Sequence, residues 1–423
     1  MPAPWRTPTR RSVWLCLAGG AVLALVWFSP RLAARYELYR ARRALDLFQA
    51  DLAVQRLESA RHFDPQNAQM HFLLGRALRR LERFDEMSRE LEEAGRRGIP
   101  ADRIQRELRL SVAQTARVGE VEAYLPQMLT APGEDGREIC AAFFQGFCLR
   151  LNFALANRVL DAWAADFPGD AEPHARRGDL YESTDDMRRA AAAYGECLVL
   201  DPSRTQVRLK LARCLLSTNA PDEAAPHLRI CIKEAPDSPE AWFRMGECLF
   251  MLGQIDESRR ALQRSVQCDP RHFGARQQLG ELEIRDGNAD EALRWIGPLY
   301  EDWPEDPRLA TAMAQTLQKL GRADEAEKCW QAASRAQKAI TRFDDLVAEV
   351  RANPEDVNVR YEFGMLLLRY KSREDGVVWL KSLLQFDPRH HGAHRALADY
   401  YSKIGESEQA DRHRRLAEET GPS

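Results

Sequence analysis

Apolar residues recur at helical spacing along most of the chain. In its middle third, Trp242, Met245 and Leu249 follow one another at intervals of three and four, which places them on one face of a helix. Gly253 comes next, where a helix end favours a left-handed backbone. Asp256, three residues later, is placed to accept a hydrogen bond from the free amides that open another helix. The segment therefore predicts a helix, a turn and a second helix.

The same unit returns at a constant interval along the chain, which predicts a helical repeat array. Proline marks the interval at Pro168, Pro202, Pro236, Pro270 and Pro304, and again at Pro354, Pro388 and Pro422. If each proline ends a unit, glycine recurs at the eighth position and alanine at the twentieth. Small residues at these positions allow two helices to approach closely. They are Gly178, Gly246, Gly280 and Gly364, and Ala190, Ala224, Ala292, Ala326 and Ala410.

These residues resemble the tetratricopeptide-repeat family, in which a large apolar residue, a Leu-Gly pair, aromatic residues, alanine and proline occupy set positions. The clearest copy runs from Ala241 to Pro270. The resemblance implies an all-α fold, a right-handed superhelical solenoid of antiparallel helix pairs. The units near 101 and 137 match least, because Leu108 and Phe144 replace the glycine. The expected units start near residues 34, 68, 101, 137, 171, 205, 239, 273, 307, 357 and 391.

The first thirty residues differ in kind from the repeats. Residues 1–12 form a basic tail, and residues 13–28 are an uncharged apolar run with arginines on both sides. A run of 16 residues is short for a spanning helix, which needs about 20, and long for a cleaved signal, whose small exit residues are also missing. The run therefore predicts an uncleaved transmembrane anchor, ahead of a solenoid of about nine units at residues 34–340.

The side of the membrane is harder to assign. More arginines follow the apolar run than precede it, so counting positive charges does not decide the orientation. The pair Arg10 and Arg11 resembles a twin-arginine export signal, although a plain basic flank explains it equally well. We expect a single-pass protein of a bacterial inner membrane with an extracytoplasmic solenoid, and a cytoplasmic solenoid is the alternative.

The proline ladder slips by 16 residues before its last two units. A flexible linker is one explanation, but no glycine or proline lies between Gly321 and Pro354. We expect one extended helix instead, with residues 341–356 as a spacer that moves the terminal pair at residues 357–423, including a capping helix, out of the regular superhelix. Its apolar series is Ala326, Trp330, Ala333, Ala336, Ile340, Phe343, Val347 and Val350, and we expect Trp330 in the core.

Cysteine and histidine invite a search for metal and redox sites. Four cysteines follow one another at intervals of half a repeat, and this predicts equivalent buried positions where cysteine packs as a small apolar residue. They are Cys197, Cys214, Cys231 and Cys248. His390, His391 and His394 form a tempting metal cluster, but the turn sequence Asp-Pro-Arg-His also occurs at Asp269–His272, so His390 belongs to the repeat. We expect neither a metal nor a cofactor.

Composition narrows the function classes. The chain of 423 residues has a formal charge of -3, and 30% of its residues are charged, which describes a well-solvated helical array. A nucleic-acid-binding protein usually carries a basic stripe and an aromatic platform, and the sequence shows neither. It also lacks a nucleophile elbow, a phosphate-binding glycine loop and the His-Glu-x-x-His helix of metalloproteases. We expect neither catalysis nor nucleic-acid binding.

Binding is then expected on the concave groove that stacked first helices form. In the resembled family, the second, fifth, ninth, twelfth and thirteenth positions of each unit line this groove. The corresponding residues are Arg213, Leu216, Phe243, Glu247, Phe250, Met251, Gln277, Arg285, Gln315 and Lys319, followed by Tyr361, Met365 and Arg369 in the last pair. Exposed aromatic residues beside arginines favour protein binding. For Phe243 and Phe250, packing between neighbouring units is the alternative.

These features together predict a membrane-anchored, non-catalytic scaffold that recruits one or more proteins during envelope assembly or export. An accessory subunit that holds a glycan or a lipid-linked polymer in the groove for a partner enzyme is the alternative. Groove-facing aromatic residues with flanking carboxylates favour the glycan, whereas a wide apolar trough between Arg213 and Lys319 favours a peptide helix.

Overall fold

The computed structural model describes residues 30–130 and 132–420. Within these ranges every regular element is a helix, in agreement with the predicted all-α fold. The predicted basic tail at residues 1–12 and the anchor at residues 13–28 lie outside the described residues. None of the helices that the structure does describe combines the length and the apolar character that crossing a bilayer requires.

The chain divides into two compact units, with the boundary between Val112 and Ala113. The helices of the first unit are α1 (Pro30–Asp46), α2 (Ala50–Phe63), α3 (Ala68–Arg80), α4 (Phe84–Arg96) and α5 (Ala101–Ala113). Consecutive helices pack as pairs, α1 on α2 and α3 on α4. Leu57, Met70 and Leu91 are among the fully buried residues between them.

The second unit continues this arrangement of consecutive helix pairs. Its helices are α6 (Leu125–Thr130), α7 (Gly136–Leu149), α8 (Phe153–Asp166), α9 (Glu172–Ser183), α10 (Met187–Leu200), α11 (Thr205–Ser217), α12 (Pro221–Glu234), α13 (Pro239–Met251), α14 (Ile255–Cys268), α15 (Phe273–Asp286), α16 (Ala289–Asp302), α17 (Pro307–Lys319), α18 (Ala323–Ile340), α19 (Phe343–Ala352), α20 (Val357–Leu366), α21 (Arg373–Leu383), α22 (His391–Ile404) and α23 (Ser407–Thr420). After α20 the backbone makes one π-helical turn at Leu367–Lys371.

The predicted unit starts agree with the observed helices over most of the chain. Helices begin at residues 68, 101, 205, 239, 273, 307, 357 and 391, as the repeat predicts. The unit that starts at 101 is the exception, because short 3-10 turns and α6 follow α5 in place of a full second helix. Pro126 and Pro132 lie in this stretch, and proline lacks the amide that a helix interior needs.

The predicted close approach of paired helices occurs at the eighth position. A Cβ built on Gly246 would come within 2.6 Å of the Leu262 side chain. Gly280 and Ile296 repeat this contact in the next unit, where the distance is 2.4 Å. Interiors packed at this density have no room for a larger residue, which would push the two helices apart.

The turn between paired helices contains a left-handed residue whether or not glycine is present. Gly253 has a positive φ angle, as predicted, and so do Gly287, Gly321 and Gly405 at the same position of their units. The same turn in other units places Phe48, Glu82, Leu151, Asp185 and Asn219 at φ of 53 to 61°. A residue with a Cβ is less stable than glycine in this region by about 1–2 kcal/mol. The repeat geometry therefore requires this conformation even where the sequence does not favour it.

The aspartates that were expected to cap second helices have a different role. Asp256 is the second residue of α14, and Gln254, which precedes the helix, makes no side-chain capping bond. Asp256 therefore acts through its charge, near the positive end of the helix dipole. Side-chain caps come from the residue before a helix: Ser238 accepts from the Ala241 amide at α13, Asp306 caps α17, and Asp186 accepts from the Arg189 amide at the second helix α10.

The continuous helix predicted through residues 341–356 is wrong, because α18 and α19 are separate helices with a turn at Thr341 and Arg342. The Thr341 hydroxyl donates to a backbone carbonyl one turn earlier at 2.6 Å and so competes with helix hydrogen bonds. The break allows Phe343 to stack on Phe363, with ring centroids 5.4 Å apart. Tertiary stacking thus overrides the helical spacing at this point.

Trp330 was expected in the core, and this expectation is wrong because the side chain is 37% exposed. The buried face of α18 carries Ala326, Cys329 and Ala336 instead. One position along a helix turns a side chain by about 100°. Burying Cys329 therefore moves the neighbouring indole to the flank of the helix.

The terminal pair packs back onto earlier helices of the second unit, so the expectation that it leaves the array is wrong. Arg360 is completely buried, and its guanidinium donates to the Leu149 carbonyl at 3.1 Å and the Ser382 hydroxyl at 3.0 Å. It lies about 5 Å from the rings of Trp379 and Phe386. Burial lowers the pKa of Arg360 to about 10. A buried cation needs such partners, and they join the end of α7 to the terminal pair.

The four cysteines spaced by half a repeat are buried, as predicted. Burial raises the pKa of Cys197 and Cys231 to about 11 and that of Cys214 to about 12. Cys248 is buried as well, with its Sγ 3.2 Å from the Pro221 carbonyl oxygen. These thiols are therefore protonated at neutral pH and pack as small apolar groups.

A pair of buried histidines joins the last two helices. The Nδ1 atoms of His394 and His413 lie 2.9 Å apart, and Nε2 of His394 donates to the Pro388 carbonyl at 3.0 Å. In the neutral His394 ring, Nδ1 therefore accepts a hydrogen from His413. Burial and the neighbouring His394 lower the pKa of His413 to about 4, and the positive charges of Arg412 and Lys381 act in the same direction.

The strained turn at Asp185 allows a stabilising substitution. Asp185→Gly removes the Cβ at a φ of 61°, and we expect the free energy of unfolding to rise by about 0.5–1 kcal/mol. Denaturation in urea measures this difference. Asp185→Ala keeps the Cβ and serves as the control, which should not gain stability. A less stable glycine variant would show that the turn carries no strain.

The histidine pair predicts a loss of stability in acid. The pKa of His413 is lower in the folded state than in the unfolded chain. The contribution of neutral His413 to the free energy of unfolding is therefore complete above about pH 6.5 and is lost as the pH falls towards 4. The melting temperature, followed by circular dichroism, should fall between about pH 7 and pH 5. It should fall less for His413→Gln than for the unchanged protein, because glutamine cannot take up a proton. Equal decreases in both proteins would contradict this role of His413.

Candidate functional site

The predicted groove residues do not all reach one continuous surface. Leu216 and Phe243 are each 8% exposed, and both pack with residues of the following unit. The Phe243 ring lies 5.1 Å from that of His272 and occupies the space beside Gly274, where a Cβ would clash with it. Leu216 and Phe243 are therefore buried between units rather than exposed on a groove, and for Phe243 this agrees with the packing alternative.

Arg213 lies in a network of paired charges on the first helices. It donates to Glu182 at 2.5 Å, and Lys210 donates to Asp179 at 2.6 Å. The Tyr194 hydroxyl lies 2.6 Å from both carboxylates and donates to one of them at a time. Burial and these carboxylates raise the pKa of Tyr194, so it remains a donor. These paired charges tie Arg213 to the neighbouring first helix while its side chain stays 41% exposed, and its binding role stays a prediction.

Glu247 belongs to a second set of paired charges. Arg244 donates to both Glu240, at 2.7 Å, and Glu247, at 2.6 Å. Burial raises the pKa of Glu247. Burial also opposes the charge of Glu240, but hydrogen bonds from His272 and Arg244 hold its pKa at about 2. The surface around Glu247 is therefore polar and internally satisfied.

Four predicted groove residues remain accessible on neighbouring units. Phe250 and Met251 are 39% and 38% exposed, and the Arg285 guanidinium lies 5.6 Å from the centre of the Phe250 ring. Lys319 is exposed as well. This surface has the mixed apolar and basic character of a binding surface, and its binding role stays a prediction.

Gln277 and Gln315 line a cavity of about 730 Å³ in the second unit, named here the central cavity. The first helices α15 and α17 form one wall, the end of α18 forms a second, and the segment that precedes α21 forms a third. The polar and aromatic groups beside the two glutamines are Phe273, Glu281, Arg308, Thr311, Gln337, Tyr370, Lys371 and Arg373. The Gln277 amide donates to Glu281 at 2.8 Å.

Arg373 is the group that closes the central cavity on the side of the terminal pair. Its guanidinium lies 4.1 Å from the Phe273 ring and 4.4 Å from the Trp303 ring, and it donates to Asp306 at 2.6 Å. Burial lowers the pKa of Arg373, against the attraction of Asp306. The two aromatic faces and one carboxylate stabilise this cation away from water.

Sequence reasoning missed both Arg373 and Trp303, because neither occupies one of the five groove positions. One signal was available. Trp303 stands where five other turns between units have aspartate, asparagine or alanine. An aromatic residue that departs from its repeat at a surface turn has a local reason for being there.

Met365 and Arg369 line a smaller cavity of about 300 Å³, named here the C-terminal cavity. Trp303 and Tyr400 lie across it, and the ion pair between Arg369 and Glu305 closes its rim with an N–O distance of 3.3 Å. Tyr361, the third predicted groove residue of this pair, packs instead on His390, with ring centroids 4.7 Å apart.

The three histidines of the suspected metal cluster make separate contacts. His390 accepts a hydrogen bond from the Ala393 amide, while Nδ1 of His391 donates to the Ala417 carbonyl at 2.9 Å. His394 pairs with His413. Among the described residues, no group of three or more histidine, cysteine, aspartate or glutamate side chains is arranged to hold a metal ion.

Parts of the chain are similar to known proteins. FK506-binding protein-like of Homo sapiens is 28% identical over 176 residues, which are 39% of this chain and 48% of that protein. Tetratricopeptide repeat-containing protein trd-1 of Caenorhabditis elegans is 27% identical over 129 residues, which are 30% of this chain and 16% of that protein. The chain thus spans less than half the length of these relatives. The solved structure of MamA (41-end) from Desulfovibrio magneticus RS-1 has a TM-score of 0.37 and 23% identity, covering 40% of this chain and 94% of that one.

Two family models of the tetratricopeptide repeat match the chain, one at residues 175–239 and the other at residues 215–279. The matched segments correspond to the helix pairs from α9 to α15, where glycine, alanine and proline recur most regularly. The chain therefore contains tetratricopeptide repeats, which these models match within residues 175–279.

Proposed function

We propose that this protein is a non-catalytic scaffold that holds an extended polypeptide segment of a partner in the central cavity. Tetratricopeptide repeats and their relatives support a role in protein interaction. The observation that carries the proposal is the placement of Gln277 and Gln315 in one cavity, on adjacent first helices. Its volume of about 730 Å³ lies in the range that binding sites commonly have, about 300–1,000 Å³.

The chemistry of the cavity suits a polypeptide backbone. Gln277, Gln315 and Gln337 each offer one amide acceptor and two amide donors, which match the N–H and C=O groups of an extended chain. Glu281 and Asp306 add negative charge to the cavity, and Arg308, Lys371 and Arg373 add positive charge. An amphipathic helix needs a mainly apolar groove, whereas three amides and five charged side chains lie among the apolar groups of this cavity, which include Phe273, Ala312 and Ile340.

A glycan is the second candidate. Three amides and Glu281 converge beside Phe273 and Tyr370, and sugars use such combinations of polar groups and ring faces. However, the Phe273 ring already carries the Arg373 guanidinium at 4.1 Å. A stacking surface for a sugar is therefore partly taken, and the polypeptide is the better match.

The proposal extends to a tether in the bacterial inner membrane. Residues 13–28 supply the apolar run, arginines flank it on both sides, and Arg10 and Arg11 favour an extracytoplasmic solenoid engaged in envelope assembly or export. A cytoplasmic solenoid remains the alternative.

Residues 13–28 should keep the chain in the membrane. We expect the full chain to stay in membranes washed with alkali, and its solenoid to be digested by protease in spheroplasts. Replacing Leu23 and Leu25 by arginine puts charges into the apolar run and should release the chain. Release of the unchanged protein by alkali would reject the tether, and protection from protease in spheroplasts but not in lysed cells would place the solenoid in the cytoplasm.

Photo-crosslinking tests the central cavity. A photoreactive amino acid in place of Gln315 should attach to one protein partner in membranes, whereas the same residue in place of Gln331, exposed on α18, should not. Gln277→Ala in the Gln315 background should lower the yield at least about threefold, as the loss of a hydrogen bond of about 0.5–1.5 kcal/mol predicts.

The outcomes separate the candidates. A crosslinked product that resists protease but is shortened by periodate would favour the glycan. Equal crosslinking from positions 315 and 331 would reject the central cavity as the binding site. Circular dichroism of each variant checks that helicity is unchanged.

A further inference from the structure

The concave face of the terminal helix pairs is already in contact with another part of the chain. Met365, Arg369 and Lys403 occupy groove positions of their units, and they face the turn between α16 and α17. This turn, Trp303–Asp306, joins two units of the regular array. The surface that a tetratricopeptide repeat offers to a ligand therefore holds a segment of the same protein here.

The turn is held by its aromatic ring. Arg373 and Lys403 each approach the Trp303 ring to 4.4 Å, and the Tyr400 ring centroid lies 6.3 Å away. Cations attract the face of an indole ring more strongly than that of any other side chain. Two cations and a tyrosine ring thus form a slot that fits one indole.

Two carboxylates extend the recognition along the turn. Glu305 pairs with Arg369 at 3.3 Å, and Asp306 pairs with Arg373 at 2.6 Å. Three positive side chains on the terminal pairs therefore meet one ring and two negative side chains, in the order ring, proline, carboxylate, carboxylate. Of the seven turns that carry the proline ladder between Pro168 and Pro388, this is the one with tryptophan before the proline.

The site is not completely filled by the turn. The C-terminal cavity of about 300 Å³ remains between Trp303 and the terminal pairs, with an apolar floor of Met365, Leu368 and Ala396. An incoming chain thus finds space beside the slot without any helix moving first.

We propose that the concave face of the terminal pairs is a second docking site, which adjoins the central cavity at Asp306 and Arg373. Its ligand is a polypeptide segment of a partner in which an indole ring is followed, two and three residues later, by carboxylates. The Trp303–Asp306 turn occupies the site as a resident ligand and keeps its affinity low until such a partner competes. A tethered segment competes at an effective concentration of the order of millimolar, so the intact chain binds a free peptide weakly.

Binding of a synthetic peptide to the full chain in detergent tests this proposal. The probe is a fluorescent peptide with the sequence of residues 301–307, Glu-Asp-Trp-Pro-Glu-Asp-Pro. The control peptide has the sequence of residues 233–239, Lys-Glu-Ala-Pro-Asp-Ser-Pro, which keeps both prolines but lacks the indole. Fluorescence anisotropy measures both dissociation constants.

Removing the side chains of the resident turn should free the docking site for the probe. We name the double variant Trp303→Ala, Glu305→Ala the vacated chain. We expect it to bind the probe at least about tenfold more tightly than the unchanged chain, because the tethered competitor is removed. Asp306 is left in place, since its side chain accepts hydrogen bonds from the Arg308 and Leu309 amides at the start of α17. Should the double variant fail to fold, Glu305→Gln alone removes the ion pair and should tighten binding at least about threefold.

Adding Arg369→Ala to the vacated chain should weaken binding of the probe at least about fivefold, whereas adding Arg415→Ala, at an exposed arginine of α23, should not. No probe binding by the vacated chain, or equal binding of the control peptide, would overturn the proposal. Dimerisation of the unchanged chain that the vacated chain has lost would identify the occupant as a second copy and would also overturn it. Because these variants leave Gln277 and Gln315 unchanged, failure here does not affect the central cavity.

Discussion

Contact between an eighth-position glycine and the side chain sixteen residues later sets the spacing of each helix pair. Gly246 meets Leu262 in this way, and Gly280 meets Ile296. The contact consists of many weak dispersion attractions, which a single methyl group would abolish by forcing the helices apart. With the pair distance constant, first helices line up beside each other, and the cavities between them follow. The same geometry imposes a left-handed turn residue even on Leu151, which has no intrinsic preference for it.

Buried arginines then decide where the terminal pairs lie. Arg360 has lost all contact with water and is satisfied by carbonyl and hydroxyl oxygens and by two aromatic rings. Arg373 lies between Phe273 and Trp303 and pairs with Asp306. Removing a cation from water is unfavourable by several kcal/mol unless every partner is in place. These contacts hold the terminal pairs against the rest of the second unit, and both cavities take walls from this position.

The structure places the residues of the predicted groove in different surroundings, for a physical reason. Gln277 and Gln315 do line one cavity. Phe243, at the same repeat position as Gln277, turns into the core because Gly274 leaves room for its ring. A position in the repeat gives the direction of the Cα–Cβ bond, but the size of the neighbouring side chain decides whether that residue packs or remains available. The proposed scaffold function therefore rests on the central cavity and does not need the full predicted groove.

The sequence by itself determined the repeat, the helix pairs, the buried cysteines and most unit boundaries, because these depend on contacts within one unit or between neighbours. Tertiary structure alone decided the break at Thr341, the exposure of Trp330 and the position of the terminal pairs. Arg360 bonds to a carbonyl 211 residues away, and Arg373 to a carboxylate 67 residues away. Such contacts form only after the intervening units have stacked, so a pattern that repeats from one unit to the next contains no trace of them.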